Sequence, residues 1–275
     1  MMDRPAPPPS ELLEIAIDVA RDAAATAYRM RIEGVSVAAT KSTVTDVVTA
    51  ADRAVERQIT DALRRLRPGD AVLGEEYGTA DGGTTDAPAR VRWIVDPIDG
   101  TVNYLYGLPH CAVSIAAELD GAVVAGVVRN IHTGEEWTAT AGGGAWRAGE
   151  RLRCSTETDL GQALVITGFG YDARRRAHQA RVVAELIPYV RDIRRLGAAA
   201  LDLCLVAEGR ADAYYEKGLA AWDQAAGGLV AAEAGLRIGG LKGLPPGPEM
   251  VIAAPPALYD PLHEHLTRWD AAGGP

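Results

Sequence analysis

The sequence predicts a mixed α/β chain in which helices and strands alternate and stack in layers. Three observations carry that expectation. Apolar residues recur at helical spacing in several separate stretches, short apolar runs of strand length stand between them, and three of those runs end in carboxylates. The three are Ala71 to Gly74 before Glu75, Trp93 to Val95 before Asp96, and Ala211 to Tyr215 before Glu216. Ligands collect outside the carboxyl ends of strands in such sheets, so these acids mark a site as well as a fold.

The 275 residues suffice for a sizeable core. They are expected to form a tail over residues 1–9 and a single domain over 10–275, with an N-terminal half to about 155 and a C-terminal half over about 156–270. Hydrophobic content of 48% and charged content of 24% are those of a soluble globular protein. The formal net charge of −9 disfavours a nucleic-acid backbone or an anionic membrane as partner, although metal ions let an acidic protein bind a phosphate. Cys111, Cys154 and Cys204 are too scattered for a disulfide framework or a zinc site, which points to a reducing cytoplasm. Met1 to Ser10 lacks a basic start and an apolar core, so no signal peptide is expected, and no apolar run reaches membrane-spanning length.

In chain order, Ser10 is read as the N-cap of a helix that buries Leu12, Ala16, Val19, Ala23, Ala27 and Met30. Its alanines imply close helix packing. Lys41 to Asp46 is a polar connection, and a second helix starts near Thr49, burying Val55, Ile59 and Leu66 before Pro68-Gly69 ends it. Ala71 to Gly74 is a short strand that delivers Glu75 and Glu76. Neighbouring side chains in a strand point to opposite sides, so one glutamate can join a site and Glu76 is read as structural. Gly78 to Arg90, rich in Gly, Thr, Asp and Pro, reads as a surface loop.

Trp93-Ile94-Val95 then runs into Asp96-Pro97-Ile98-Asp99-Gly100-Thr101. Asn103 to Tyr106 makes a helical turn closed by Gly107 and Pro109, and Asp120-Gly121 joins Ala112–Leu119 to Ala122–Arg129 as a hairpin. More β structure follows through Trp137 to Trp146. Gly142-Gly143-Gly144 lacks nucleotide-binding spacing and reads as a hairpin turn. The second half offers a strand near Ala163 to Thr167, helices near Arg174 to Ile187 and Gly197 to Glu208, and the strand Ala211 to Glu216. A helix from Trp222 to Gly235, with Asp223 as its natural N-cap, a strand over Val251 to Ala253 and a helix over Leu258 to Trp269 complete the chain. Cys204 reads as a core thiol, and His263 and His265 around Glu264 as a surface cluster.

Pro97 fixes its own φ and pushes Asp96 towards an extended conformation, so Asp96 and Asp99 are expected to point the same way. Two such charges about 4 Å apart repel by roughly 4 kcal/mol at an effective dielectric of about 20, which calls for a cation or a proton. No Cys or His lies in the stretch, so a hard oxygen-seeking ion, Mg²⁺, suits it better than zinc. An Asp-Pro turn whose acids only cap local amides would have the same spelling. Lys41 and Asp52, taken alone, are as consistent with surface charge, and the small residues Gly197-Ala198-Ala199 with close helix packing.

Gly74-Glu75-Glu76, Trp93 to Thr101 and Trp222 to Gly235 together resemble, in order and spacing, the signatures of the inositol monophosphatase family. These are magnesium-dependent, lithium-sensitive phosphatases. The similarity extends through Lys41 to Asp52, Val113-Ser114-Ile115, Gly197-Ala198-Ala199 and Ala211 to Glu216, and covers about residues 10–255. The resemblance, nearest to bacterial members, implies a layered α-β-α-β-α sandwich, a dimer, and two to three Mg²⁺ ions. It implies Glu75, Asp96 and the Ile98 carbonyl as ligands of one ion, and Asp96, Asp99 and Asp223 as ligands of a second. Thr101 resembles the hydroxyl that works with Glu75 to orient and deprotonate the attacking water, and Lys41 and Asp52 resemble residues that steady the metal loop. The backbone of Gly100 and Thr101 would hold phosphate oxygens. Gly197, Ala198 and Ala199, with Glu216, would hold the alcohol.

The chain departs from animal members where Ala198 and Ala220 stand in place of a common threonine and histidine. Both changes bear on the alcohol pocket and leave the acids intact. The implied activity is hydrolysis of a small polyol phosphate, myo-inositol 1-phosphate foremost, by water attack, and no activated Ser, Cys or His nucleophile is evident in the sequence. Histidinol phosphate, fructose 1,6-bisphosphate and, less well, an adenosine 3′,5′-bisphosphate are the alternatives. A regulatory binding protein that keeps the fold is the rival of another class.

Overall fold

The structure is a computed structural model that describes residues 6–34, 37–40, 47–80 and 90–275. Lys41 lies outside the described residues. The chain opens with helix α1 (Pro9–Glu33), strands β1 (Val37–Thr40) and β2 (Val47–Thr49), and helix α2 (Ala50–Leu66). It continues through β3 (Ala71–Gly74), β4 (Gly78–Ala80), β5 (Val91–Asp99) and α3 (Thr101–Tyr106) to the meander β6 (Ala112–Leu119), β7 (Ala122–Asn130), β8 (Glu136–Thr140), β9 (Gly144–Arg147) and β10 (Glu150–Arg151). The second half is β11 (Leu164–Thr167), α4 (Ala173–Leu186), β12 (Asp192–Arg194), α5 (Ala199–Ala207), β13 (Ala213–Glu216), α6 (Ala221–Glu233), β14 (Arg237–Gly239), β15 (Val251–Ala254) and α7 (Pro256–Arg268).

Beside the two-stranded pair β1-β2, two larger sheets organise these elements, eight strands in the order β10-β9-β8-β7-β6-β5-β3-β4 and five in the order β12-β11-β13-β15-β14. Three apolar cores lie in series. The alanine-rich face of α1 and the Val55, Ile59 and Leu63 stripe of α2 cover one face of the larger sheet. Between the sheets, α5 and α6 bury Leu201, Leu203, Val230 and Ala231 against Ala116, Val128 and Tyr214. On the outer face of the smaller sheet, Val182 and Leu186 of α4 and Leu258, Leu262 and Leu266 of α7 close the last core. This is the expected α-β-α-β-α order, and among the described residues no helix is long and apolar enough to cross a membrane.

Several local readings change. Helix α1 starts at Pro9 with Pro8 as its N-cap, so Ser10 lies inside the first turn, where a proline needs no partner for its missing N–H. The segment flanking Lys41 pairs β1 with β2, and Gly78–Ala80 pairs with β3 instead of being loop. The short strands β12 and β14 carry too few residues to show a period. Asp223 sits in the first turn of α6, three residues after the N-cap Ala220, and its Oδ2 accepts the Ala220 amide at 2.6 Å.

The central motif also differs from its first reading. Pro97 does not end the strand at Val95, because β5 continues to Asp99 through an irregular step in its pairing with β6. Asp96 faces Ser114 and Asp99 faces Ala112, so three steps on one strand match two on the other. In a regular strand residues three apart point to opposite faces, and one extra residue restores a common face. The bulge also accommodates Pro97, which has no amide to donate to the ladder.

Candidate metal centre

Asp96, Asp99 and Asp223 offer carboxylate oxygens that lie within 4.8 Å of one another, Asp96 and Asp99 being almost wholly buried. At that spacing each ionised pair repels by about 3 kcal/mol at an effective dielectric of about 20. Burial, followed by the charges of Glu75, Asp99 and Asp223, holds the Asp96 carboxyl well above the usual range, and a hydrogen bond shared with Glu75 adds to the shift. Burial and then Asp223 do the same to Asp99, opposed by the Ala200 amide. All donors in the cluster are oxygen, with neither His nor Cys among them. Such a set of clustered, desolvated carboxylates fits a hard divalent cation, which would remove the repulsion that otherwise only protons can remove.

The loop around the acids is held by its own backbone. Asp96 Oδ1 accepts the Ile98 amide at 3.0 Å, and Thr101 Oγ1 lies 3.1 Å from both the Ile98 carbonyl and Asp52 Oδ1. Asp52 is fully buried in the first turn of α2, where its Oδ2 accepts the Thr49 amide at 2.7 Å while Thr49 Oγ1 accepts the Asp52 amide at 3.3 Å. This reciprocal cap fixes one end of the Asp52 carboxylate and turns the other to Thr101. Burial pushes Asp52 up to about 6, Thr49 opposes it, and Glu75 and Glu76 reinforce it. Gly100, at φ 84°, turns the chain into α3 in a conformation that a side chain disfavours, and a Cβ there would also meet Ala198 Cβ and the His110 carbonyl at 3.0 Å.

Glu75 reaches the cluster from the end of β3, which pairs in parallel with β5. Its turn is held by Glu56 of α2, a nearly fully buried acid whose Oε2 accepts the Glu76 amide at 2.7 Å and whose Oε1 accepts the Tyr77 amide at 3.0 Å. Gly74 makes room for that carboxylate, since a Cβ would come within 2.0 Å of Glu56 Oε1. Glu76 faces Arg53 at 3.9 Å, in keeping with its structural reading.

A cavity of about 470 Å³ opens beside the acids, and its walls include Asp99, Gly100, Gly197, Ala199, Glu216 and Asp223. The residues expected at the alcohol end therefore meet those of the metal loop. Ala198 is buried behind Gly100 and does not line the cavity. Glu216 is pushed up to about 8 by burial, and its Oε2 accepts the Tyr214 hydroxyl at 2.7 Å. Arg175, Arg195 and Lys217 also line the cavity.

The model of the inositol monophosphatase family matches residues 9–269.

The chain belongs to the inositol monophosphatase family.

Among individual relatives, inositol-1-monophosphatase SuhB of Mycobacterium tuberculosis is 45% identical over 98% of this chain and 98% of its own. A solved structure of Mycobacterium tuberculosis SuhB superposes with a TM-score of 0.81 at 42% identity, covering 98% of this chain and 100% of that one. Nus factor SuhB of Escherichia coli K12 is 40% identical over 82% of this chain and 83% of its own. As a member of this family the chain is a phosphatase with a small phosphorylated substrate.

Sequence reasoning missed several contributors. Asn103 donates to the His110 and Leu196 carbonyls at 2.8 Å each, tying α3 to the turn before α5. His110 Nε2 lies 2.8 Å from Oδ1 of the fully buried Asp202 on α5. Glu56, Tyr214 and the cavity cations were also not singled out. Glu56 had one available signal, namely that it follows Asp52 by one helical turn on the face that meets the Glu75 strand.

Proposed function

We propose that this chain hydrolyses a phosphate monoester of a polyol, myo-inositol 1-phosphate first among them, with two to three Mg²⁺ ions held by Glu75, Asp96, Asp99, Asp223 and the Ile98 carbonyl. The observation that carries the reading is the convergence within 4.8 Å of Asp96 and Asp99 from β5 with Asp223 from α6, far apart in sequence. When bound, the ions supply charge neutralisation for the phosphoryl oxygens and acidity for the attacking water.

The chain's own residues do the rest. Thr101 lends its hydroxyl to orient the water, and Asp52 Oδ1, 3.1 Å away, is placed to take the proton that Thr101 passes on. Glu75, which shares a hydrogen bond with Asp96, works with Thr101 to orient the attacking water. The Gly100 and Thr101 amides open α3 and hold phosphate oxygens, and the cavity wall at Gly197 and Ala199 with Glu216 receives the alcohol. Glu216 accepts ring hydroxyls, which favours a polyol. Lys41 is assigned to steadying the metal loop.

The test is phosphate release from inositol 1-phosphate, histidinol phosphate and fructose 1,6-bisphosphate, with Mg²⁺ titrated and Li⁺ added. The reading expects a preference for inositol 1-phosphate, dependence on Mg²⁺ and inhibition by Li⁺. A strong preference for histidinol phosphate overturns the substrate, and full activity in chelator overturns the metal.

A second, regulatory role has one observation behind it, the 40% identity to a relative named Nus factor SuhB. With a net charge of −9, contact through another protein suits this chain better than direct binding of a nucleic-acid strand. A protein partner retained by an Asp99→Asn, Asp223→Asn double variant would support that role, and absence of any partner would remove it.

A further inference from the structure

Glu216 shares the cavity wall with Asp99, Asp172 and Asp223, and the structure shows what aims its carboxylate. Tyr214 and Glu216 are two residues apart on β13, so they share a face of the strand. That face is turned to α5 and the metal loop, since Tyr214 belongs to the core between the sheets while Ala213 and Tyr215 belong to the core beneath α7. The Tyr214 ring is fully buried and absent from the cavity wall, and its hydroxyl donates to Glu216 Oε2 at 2.7 Å. With Oε2 committed to Tyr214, Oε1 is the oxygen left for a ligand hydroxyl.

Space is shaped to the same end. Gly168, at the end of β11, abuts the carboxylate, and a Cβ there would lie 1.9 Å from Oε2 and 2.2 Å from Oε1. The carboxylate occupies a slot that only glycine leaves open, and a buried donor fixes its rotation within it.

We propose that Tyr214 is the positioning residue that sets the preference for polyol phosphates, holding Glu216 in the Gly168 slot with its free oxygen towards the alcohol. Tyr214 touches neither phosphate nor alcohol and acts only through Glu216. The inference rests on the reading of Glu216 as the alcohol-binding acid.

Burial foremost, with Asp202 of α5 and Asp223 of α6, raises the Glu216 pKa, and Tyr214 and Arg195 oppose it. Removing the Tyr214 hydroxyl takes away one of the two influences that favour the charged acceptor.

The experiment compares inositol 1-phosphate with phenyl phosphate, an ester with no alcohol hydroxyls, in Mg²⁺-loaded enzyme. Tyr214→Phe, which keeps the ring, is expected to lower the ratio of kcat/KM for the two esters about tenfold, mainly through KM for inositol 1-phosphate, the size of one buried hydrogen bond. It also shifts the pH midpoint of that KM upward. Gly168→Ala, which leaves the donor but fills the slot, is expected to lower the same ratio. Tyr215→Phe, on the opposite face of β13, should leave the ratio as it is.

An unchanged ratio in Tyr214→Phe beside a collapsed ratio in Glu216→Gln overturns the proposal and leaves the reading of Glu216 standing. An unchanged ratio in Glu216→Gln overturns both.

Discussion

The carboxylate of Asp99 accepts a hydrogen bond from the backbone amide of Ala200 at 2.8 Å. One acid of the metal loop therefore also caps helix α5, whose N-cap residue Ala198 has no side chain to do so. Charge at the cluster and the position of the turn from Gly197 to Ala199 are linked through one pair of atoms.

That link separates two substitutions. Asp99→Asn keeps an acceptor for Ala200 but removes a charge, so metal-free protein should be at least as stable as the parent while Mg²⁺-dependent phosphate release falls by about a hundredfold or more. Asp99→Ala removes the cap as well and should cost about 1 kcal/mol of stability. Thermal unfolding in chelator, paired with activity in Mg²⁺, reads both effects.

Asp96 is the acid shared between the proposed ions. In Asp96→Asn, phosphate release should be lost and Mg²⁺ should no longer raise the melting temperature. Near-normal Mg²⁺-dependent turnover would remove its bridging role.

Acidity should stabilise the metal-free protein over a defined window. Folding raises Asp52 to about 6 and Glu216 to about 8, and raises Asp96 and Asp99 as well. The folded chain then binds more protons than the unfolded chain, so these groups favour folding below their unfolded pKa values and lose that contribution as pH rises through the folded ones. Metal-free protein is expected to melt at progressively lower temperature from about pH 5 to pH 8, with Mg²⁺ flattening the slope. A melting temperature that rises with pH in chelator would contradict this.

Helix α6 delivers Asp223 by packing closely on α5. A Cβ on Gly227 would meet the Ala200 carbonyl oxygen at 2.9 Å and Leu203 Cβ at 3.1 Å. Gly227→Val should therefore push the helices apart, costing about 1–3 kcal/mol or more and reducing activity beyond the loss of stability because Asp223 moves with its helix. Gly228→Ala, where a Cβ meets nothing within 4 Å, should be neutral or slightly stabilising.

Thr101 separates proton handling from binding. Thr101→Ser should retain most turnover and Thr101→Val should lower kcat by about a hundredfold with less change in KM, because valine keeps the shape but has no hydroxyl to share with Asp52. Steady-state kinetics in saturating Mg²⁺ measures the split.

Local signals in the chain spell the longer helices, the central strands and most of the acids, but not the short strands β1, β2, β4, β12 and β14. Periodicity located the long helices, Asp120-Gly121 located the hairpin, and apolar runs leading into acids marked Glu75, Asp96 and Glu216, because these signals depend on neighbours in the chain, although β5 runs on past Asp96. The alanines of α1 also announced close packing.

Where those residues stand and what they touch depends on contacts between distant elements. A pairing irregularity in β5 put Asp96 and Asp99 on one face, a relation between two strands that neither strand's own spelling contains. Glu56 under the Glu75 turn, Asp99 on the Ala200 amide and Tyr214 behind Glu216 are contacts whose meaning depends on burial and on partners brought in by the fold. A carboxylate reads as a surface charge until the chain desolvates it, and only then do its neighbours decide whether it holds a cation, a proton or a helix end.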